Sequence, residues 1–340
     1  MVKNTSSTRR KSAGSKSKTN LPHSSKRFWR FFRGSIIYLL ALYGTHTLGT
    51  QCSEQYRDAT GRYTQKISQQ ISYGARNVEK SITPQPPVVI RKLQDALDSP
   101  YDNLQLGVPA GGNCSIIIDR PGYALGYSEQ HEQALWTIYK LTKEELKSKK
   151  ARRTDDFRVD PLIPDGSAAL EDYHGSFYDR GHLVPAADMA FSLQAMSESF
   201  YMSNMTPQRP EFNRGIWKEL EGKIRDYAEH HDALYVVSGP VFDHNMPVMS
   251  IGSNKVSIPD YFYKILLDPS TDSPKAIGFI IENRSGGKSL ADYAVTIDAI
   301  ESVTGLDFFN QLDPEDEKKL ESQCDFQRWE QTLPKKKRSR

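Results

Sequence analysis

The chain has 340 residues, 37% of them hydrophobic and 17 of them Tyr, an ordinary globular composition with room for one large or two ordinary domains. The formal charge of +3 is misleading: residues 1–50 carry ten Lys/Arg and no acid, and Lys335, Lys336, Lys337, Arg338 and Arg340 add five more, leaving 30 of the 45 basic residues against 42 acidic ones in between. A globally positive body is thereby excluded, so any polyanion must meet a local basic patch, and three cysteines without CxxC spacing exclude a zinc ribbon or a disulfide-dense scaffold.

In chain order, residues 1–33 form a basic tail. Residues 34–53, "GSIIYLLALYGTHTLGTQCS", are uncharged and read as a signal anchor that leaves the following domain outside the cytoplasm, in the cell envelope or beyond. A cleaved secretory signal, a mitochondrial presequence and a solvated tail are the competing readings. Residues 54–104 read as a helical stalk, with Tyr56, Tyr63, Ile67, Ile71, Val78 and Ile82 at helical spacing, followed by the Pro-rich linker "TPQPPVV". Self-association of that stalk into a homodimer competes with a plain amphipathic helix lying on the domain. Residues 105–310 read as one domain and 311–340 as a C-terminal segment whose "KKKRSR" end is a solvated tail or a weak contact with an anionic surface.

Within 105–310, apolar runs predict strands at 115–119, 134–141, 233–239, 261–268 and 276–283, and helices at 187–199, 215–230 and 296–306. The gaps are hairpin-like and no βαβ alternation is visible, which predicts an α+β fold around a largely antiparallel sheet. Asp188 is expected to cap the helix that follows it. A bridge between Cys114 and Cys324 is left open.

The chemistry gathers around "FYDRGHLVPAADM", residues 177–189, where Asp179, Arg180 and Gly181 precede His182. Residues 200–228 then supply Asn204, Asn213 and Glu221, with Arg209, Arg214 and Lys218 between them. One imidazole with amides and a carboxylate is a poor zinc set but suits a hard, oxygen-seeking ion such as Mg²⁺, with Mn²⁺ as a substitute. On one continuous helix Asn213, Trp217 and Glu221 share a side, but Glu221 rises about 12 Å beyond Asn213. Asn213 is therefore expected as the direct ligand and Glu221 as the partner of water on the ion, with Trp217 in the core. An imidazole titrating near neutrality can take a proton from water attacking phosphorus, and Asn204 is a candidate to orient it. Arg180 and Arg158 are candidate phosphate clamps, and Arg209, Arg214 and Lys218 read either as substrate contacts or as a solvated face.

At these residues the chain resembles the DNA/RNA non-specific endonucleases of the ββα-metal (His-Me finger) superfamily, the endonuclease G group. The segments that carry the resemblance are "YDRGHLVPAADM" (178–189), "FYMSNMTPQRPEFNRGIWKELE" (200–221) and "LYVVSGPVFD" (234–243), with weaker matches at 123–141 and 296–309. The resemblance implies a ββα-metal motif in the active site and Mg²⁺-dependent hydrolysis of DNA and RNA that leaves 5′-phosphate ends. It also implies His182 as general base, Asn213 as metal ligand, Glu221 as water-mediated partner and Asn204 as supporting amide. The family's upstream arginine aligns cleanly with none of Arg152, Arg153 and Arg158, and Arg158 is the expectation taken here. A catalytically inactive, membrane-anchored nucleic-acid-binding module is the alternative. HExxH, GxSxG and P-loop patterns are absent from the sequence.

Overall fold

The structure is a computed structural model that describes residues 102–243, 247–270 and 273–334. In chain order its principal strands are β1 (Ile116–Asp119), β2 (Ala124–Ser128), β3 (Gln133–Thr142), β4 (Asp179–His182), β5 (Met205–Gln208), β6 (Ala233–Val241), β7 (Tyr261–Asp268), β8 (Lys275–Glu282) and β9 (Ala294–Val295). The helices used below are α1 (Leu193–Glu198), α2 (Lys218–Ala228), α3 (Ile297–Thr304), α4 (Pro314–Glu321) and α5 (Phe326–Glu330). Seven strands form one antiparallel sheet in the order β9-β8-β7-β6-β3-β2-β1, and β4 and β5 pair separately as an antiparallel ribbon. The fold is α+β, as the mixture of runs implies.

Both faces of the sheet are covered, which explains why its central strands read as unbroken apolar runs. On β7 the side chains alternate: Phe262 and Leu266 join a core with Leu183 just past β4, Phe212 and Trp217 of the turns before α2, and Leu220 and Ile224 of α2. Tyr263, Ile265 and Leu267 join the opposite core with Ile297, Ile300 and Leu320 of α3 and α4. Lys264 shares the face of Phe262 and Leu266, so a charged group is built into the sheet directly beneath the ribbon. The C-terminal helices also pack inward, with Trp329 of α5 buried 5.3 Å from the ring of Tyr227.

Three expectations are corrected, and the cysteine bridge left open is answered. The helix expected over 187–199 is broken: a 3-10 turn at Ala186–Met189 precedes α1, whose N-cap is Ser192, accepting from the Ala195 N–H. Asp188 is buried inside that turn and takes the hydroxyl of Tyr139 at 2.6 Å and the guanidinium of Arg225 at 2.8 Å. Cys114 and Cys324 pack against opposite cores and are not bridged to each other. The helix of 213–228 is not continuous, since its first turn is a π-turn, Asn213–Trp217, kinked at Gly215 (φ −102°, ψ −113°). No helix among the described residues is long and apolar enough to cross a membrane; the anchor, stalk and linker readings fall on residues outside those described, as does the basic end.

Candidate active site

The site is built by the ribbon and the helix that follows it. The register pairs Asp179 with Gln208 and His182 with Met205. Gly181 is required where the side chain of Gln208 crosses the strand, because a Cβ there would sit 2.1 Å from the Gln208 carboxamide carbon. Gly181→Ala is expected to cost about 1–3 kcal/mol by overpacking, read as a lower urea midpoint of unfolding.

Two contacts lay the helix start alongside β4. Asn213 Nδ2 donates to Asp179 Oδ2 at 2.9 Å, and Trp217 Nε1 donates to the carbonyl of His182 at 3.4 Å. Arg214 grips the same Asp179 carboxylate through Nε at 2.9 Å and Nη2 at 2.6 Å. These contacts, Arg214's first, hold the Asp179 carboxyl below its ordinary range although burial pushes the other way. Since its Nδ2 is held by Asp179, Asn213 turns its carbonyl oxygen away from that partner.

The residues after His182 are fastened from three sides. Trp217 holds the carbonyl of His182, and Lys264 Nζ donates to that of Leu183 at 3.4 Å. Asn204 is fully buried, accepts from the N–H of Val184 at 3.0 Å and donates to the carbonyls of Val184 at 3.1 Å and Ser199 at 2.9 Å. The Asn204 amide thus acts on backbone, not on the imidazole. It positions His182 through the chain.

His182 lies between Phe157 and Phe200, with ring centroids 5.8 and 5.0 Å away and the Phe200 ring perpendicular at 89°. Its Nε2 is sealed from solvent without a hydrogen-bond partner, whereas Nδ1 is not among the sealed atoms. Nε2 is thus closed to a bound molecule, which leaves Nδ1 as the nitrogen able to meet one. Arg153 rides on Phe200 at 4.9 Å and Arg180 on Phe157 at 4.4 Å, so two exposed guanidinium groups flank the imidazole. Burial first, then these two cations, push the imidazole down to about 3.

That shift has a stability consequence of definite sign. The unfolded imidazole titrates near 6.5, so between there and about 3 the unfolded chain holds a proton that the folded chain lacks. The contribution is complete above the unfolded value and lost as pH falls through the window. The drop in melting temperature from about pH 7 to about pH 5 should be smaller in His182→Gln than in the parent.

The upstream arginine expected from spacing, Arg158, is engaged by its own neighbours. Arg158 is held by Asp156, whose carboxylate lies at 2.8 Å, by the carbonyl and hydroxyl of Ser197, both at 2.9 Å, and by the ring of Tyr201 at 4.0 Å. Arg153 also has a carboxylate partner, Asp155 at 2.7 Å from its Nε, but it lies over Phe200 and its charge reaches His182 and Glu221. Arg209, Arg214 and Lys218 are exposed, with Arg209 5.6 Å from the ring of Tyr178.

Sequence reasoning also missed Lys264, although a lysine inside "YFYKILLD" was visible. It is 0% exposed, donates to Ser238 Oγ at 2.6 Å across the β6–β7 pair and lies 4.5 Å over the Trp217 ring. Burial lowers its ammonium pKa, with the charges of Glu221 and Asp188 opposing. Glu221 is the other half of this arrangement: burial raises its carboxyl well above the usual range, offset first by Lys264. The one three-carboxylate cluster of ion-holding spacing among the described residues, Asp298, Glu301 and Glu321, lies on α3 and α4 and shares no residue with this site.

Comparison with known proteins agrees with this geometry. A model of the DNA/RNA non-specific endonuclease family matches residues 99–315. The mitochondrial nuclease EXOG of Xenopus laevis is 36% identical over 220 residues, 60% of each chain, so this chain spans less than two thirds of that relative's length. Nuclease C1 of Cunninghamella echinulata var. echinulata is 35% identical over 224 residues, 62% of this chain and 88% of that one. The mitochondrial nuclease of Saccharomyces cerevisiae is 33% identical over 218 residues, 57% of this chain and 65% of that one. Among solved structures, a chain of the crystal structure of the EndoG/EndoGI complex, which addresses EndoG inhibition, superposes with a TM-score of 0.58 at 26% identity. The match covers 66% of this chain and 95% of that one. The matched span takes in the DRGH strand, its paired strand and the helix bearing Asn213 and Glu221, and on that extent the chain belongs to the DNA/RNA non-specific endonuclease family.

Proposed function

We propose that the chain is a divalent-ion-dependent nuclease that hydrolyses phosphodiester bonds in both DNA and RNA and leaves 5′-phosphate ends. The observation that carries this reading is the imidazole of His182, with one nitrogen sealed in an aromatic slot and the other open beside two exposed arginines. An imidazole that is neutral at about pH 7 can accept a proton from water, and the two arginine charges that depress its pKa are ones a bound phosphate would neutralise.

The donor set fits a hard cation. Asn213 offers a carbonyl oxygen whose amide partner is already fixed by Asp179, and the Glu221 carboxylate, disfavoured by burial, gains from a nearby positive charge. We assign Asn213 as direct ligand and Glu221 as its more distant partner, with Mg²⁺ as the ion and Mn²⁺ able to replace it. Such an ion would supply Lewis-acid stabilisation of the charge that develops on the phosphate and the leaving oxygen. The chain's own residues do the rest. His182 Nδ1 takes the proton of the attacking water, Arg153 and Arg180 meet phosphate oxygens, and Asn204, Trp217 and Lys264 hold the base in register. Arg153→Ala should lower kcat/KM by about 10²-fold, whereas Arg158→Ala should act on stability instead.

The reading is tested by digesting supercoiled plasmid and structured RNA with the full-length chain in Mg²⁺ or in EDTA. Cleavage of both substrates in Mg²⁺ only is expected; nucleic-acid binding by folded protein without cleavage would favour the inactive binding module. Several relatives are named as mitochondrial nucleases. Those names support the presequence reading of the acid-free N-terminus over the envelope anchor, and import of a fluorescent protein fused behind residues 1–53 would test it.

A further inference from the structure

Phe177, immediately upstream of β4, is 92% exposed and adopts φ +65°. Each fact alone is unfavourable. A phenyl ring left in water forfeits the gain of burial, and a bulky residue in the left-handed region is strained where glycine would be at ease. The fold draws no benefit from Phe177, and strain of this kind collects where function needs it.

Its surroundings say what the ring meets. Phe177 lies two residues before Asp179, which anchors Asn213 and Arg214, and on the chain segment that runs into His182. Arg180, Arg209, Arg214 and Lys218 are all exposed on the ribbon and the helix start, although the middle of the chain carries an excess of acid. Exposed cations for a phosphate backbone beside an unburied aromatic ring are the combination with which proteins hold single-stranded nucleic acid. In a duplex the base faces are covered by their neighbours, so a protein ring gains a stacking partner only from an unpaired base.

The geometry points to Phe177 as a base-stacking residue that gives the site a preference for single-stranded or locally unpaired DNA and RNA. This deepens the nuclease reading and rests on it. A duplex enters through frayed ends, bulges or breathing segments, and the ring then holds the base next to the strand that carries His182.

The test uses the full-length chain carrying His182→Ala, so that strands stay intact, with fluorescence anisotropy as the readout. Three fluorescein-labelled probes are compared: a short single-stranded oligonucleotide, an abasic strand of the same backbone, and a blunt hairpin duplex. Adding Phe177→Gly should weaken binding of the base-bearing single strand about tenfold and leave the abasic strand unchanged, while Phe177→Trp restores affinity. The unfolding midpoint of the Phe177→Gly protein should equal or exceed that of its parent, because the strain is relieved. Undiminished binding of the base-bearing strand by the glycine variant, or equal weakening of base-bearing and abasic strands, overturns the stacking role and leaves the nuclease reading standing. Failure of the parent to bind any of the three probes overturns both.

Discussion

His182→Ala is expected to lower cleavage of plasmid DNA by about 10²–10⁴-fold without loss of fold or of ion binding. The imidazole makes no side-chain hydrogen bond that the structure needs, since its Nε2 has no partner and the strand is held through the backbone by Trp217, Lys264 and Asn204. Removing it leaves a small apolar gap between Phe157 and Phe200 and abolishes proton abstraction at the one open nitrogen. A thermal melt shows whether the fold survives, and a cleavage rate close to that of the parent would mean that another group takes the proton.

Lys264→Met is expected to cost about 1–3 kcal/mol of folding stability, the scale of leaving buried hydrogen-bond partners unmet. The lysine lies beneath the ribbon, bonded to Ser238 and Leu183 and stacked on Trp217, and its charge opposes the effect of burial on the Glu221 carboxyl. Without it the Ser238 hydroxyl and the Leu183 carbonyl lose a donor, and the half-buried Glu221 carboxylate loses a favourable charge. Glu221→Gln added to Lys264→Met should recover part of the loss, because the uncompensated charge is then gone. Additive losses in urea unfolding of the double variant would show that the two groups do not interact.

The chain disclosed the site unevenly, and the reasons are physical. His182, Asn213 and Glu221 drew attention because few residue types take up protons near neutrality or offer hard oxygen donors, and the structure sets them on one strand and the helix that follows the ribbon. The strands were legible where both faces are covered, as in "YFYKILLD" and "ALYVVSG". The strand β2 was not, because its "ALGYS" is broken by a glycine needed to let the Trp136 indole pass, where a Cβ would lie 2.3 Å from Nε1. The helix carrying Asn213 and Glu221 was legible as a periodicity, but not its π-turn, since Gly215 announces backbone freedom without saying how it is used. Arg153 and Arg158 are equally basic along the chain. Only the fold shows that Arg158 turns to Asp156 and Ser197 while Arg153 turns to the ring beside the base. Asp188 looked like a helix cap because capping residues and buried ion-pair acids share one side chain, and Tyr139 and Arg225 come from distant elements.

The most direct measurement is a calorimetric titration of Mg²⁺ into the full-length parent, His182→Ala and Asn213→Ala, with plasmid cleavage followed on the same preparations. The parent should bind and cleave, His182→Ala should bind without cleaving, and Asn213→Ala should do neither while remaining folded. Undiminished Mg²⁺ binding and cleavage by Asn213→Ala, or loss of Mg²⁺ binding in folded His182→Ala, would contradict the division of work between a base on the strand and an ion on the helix.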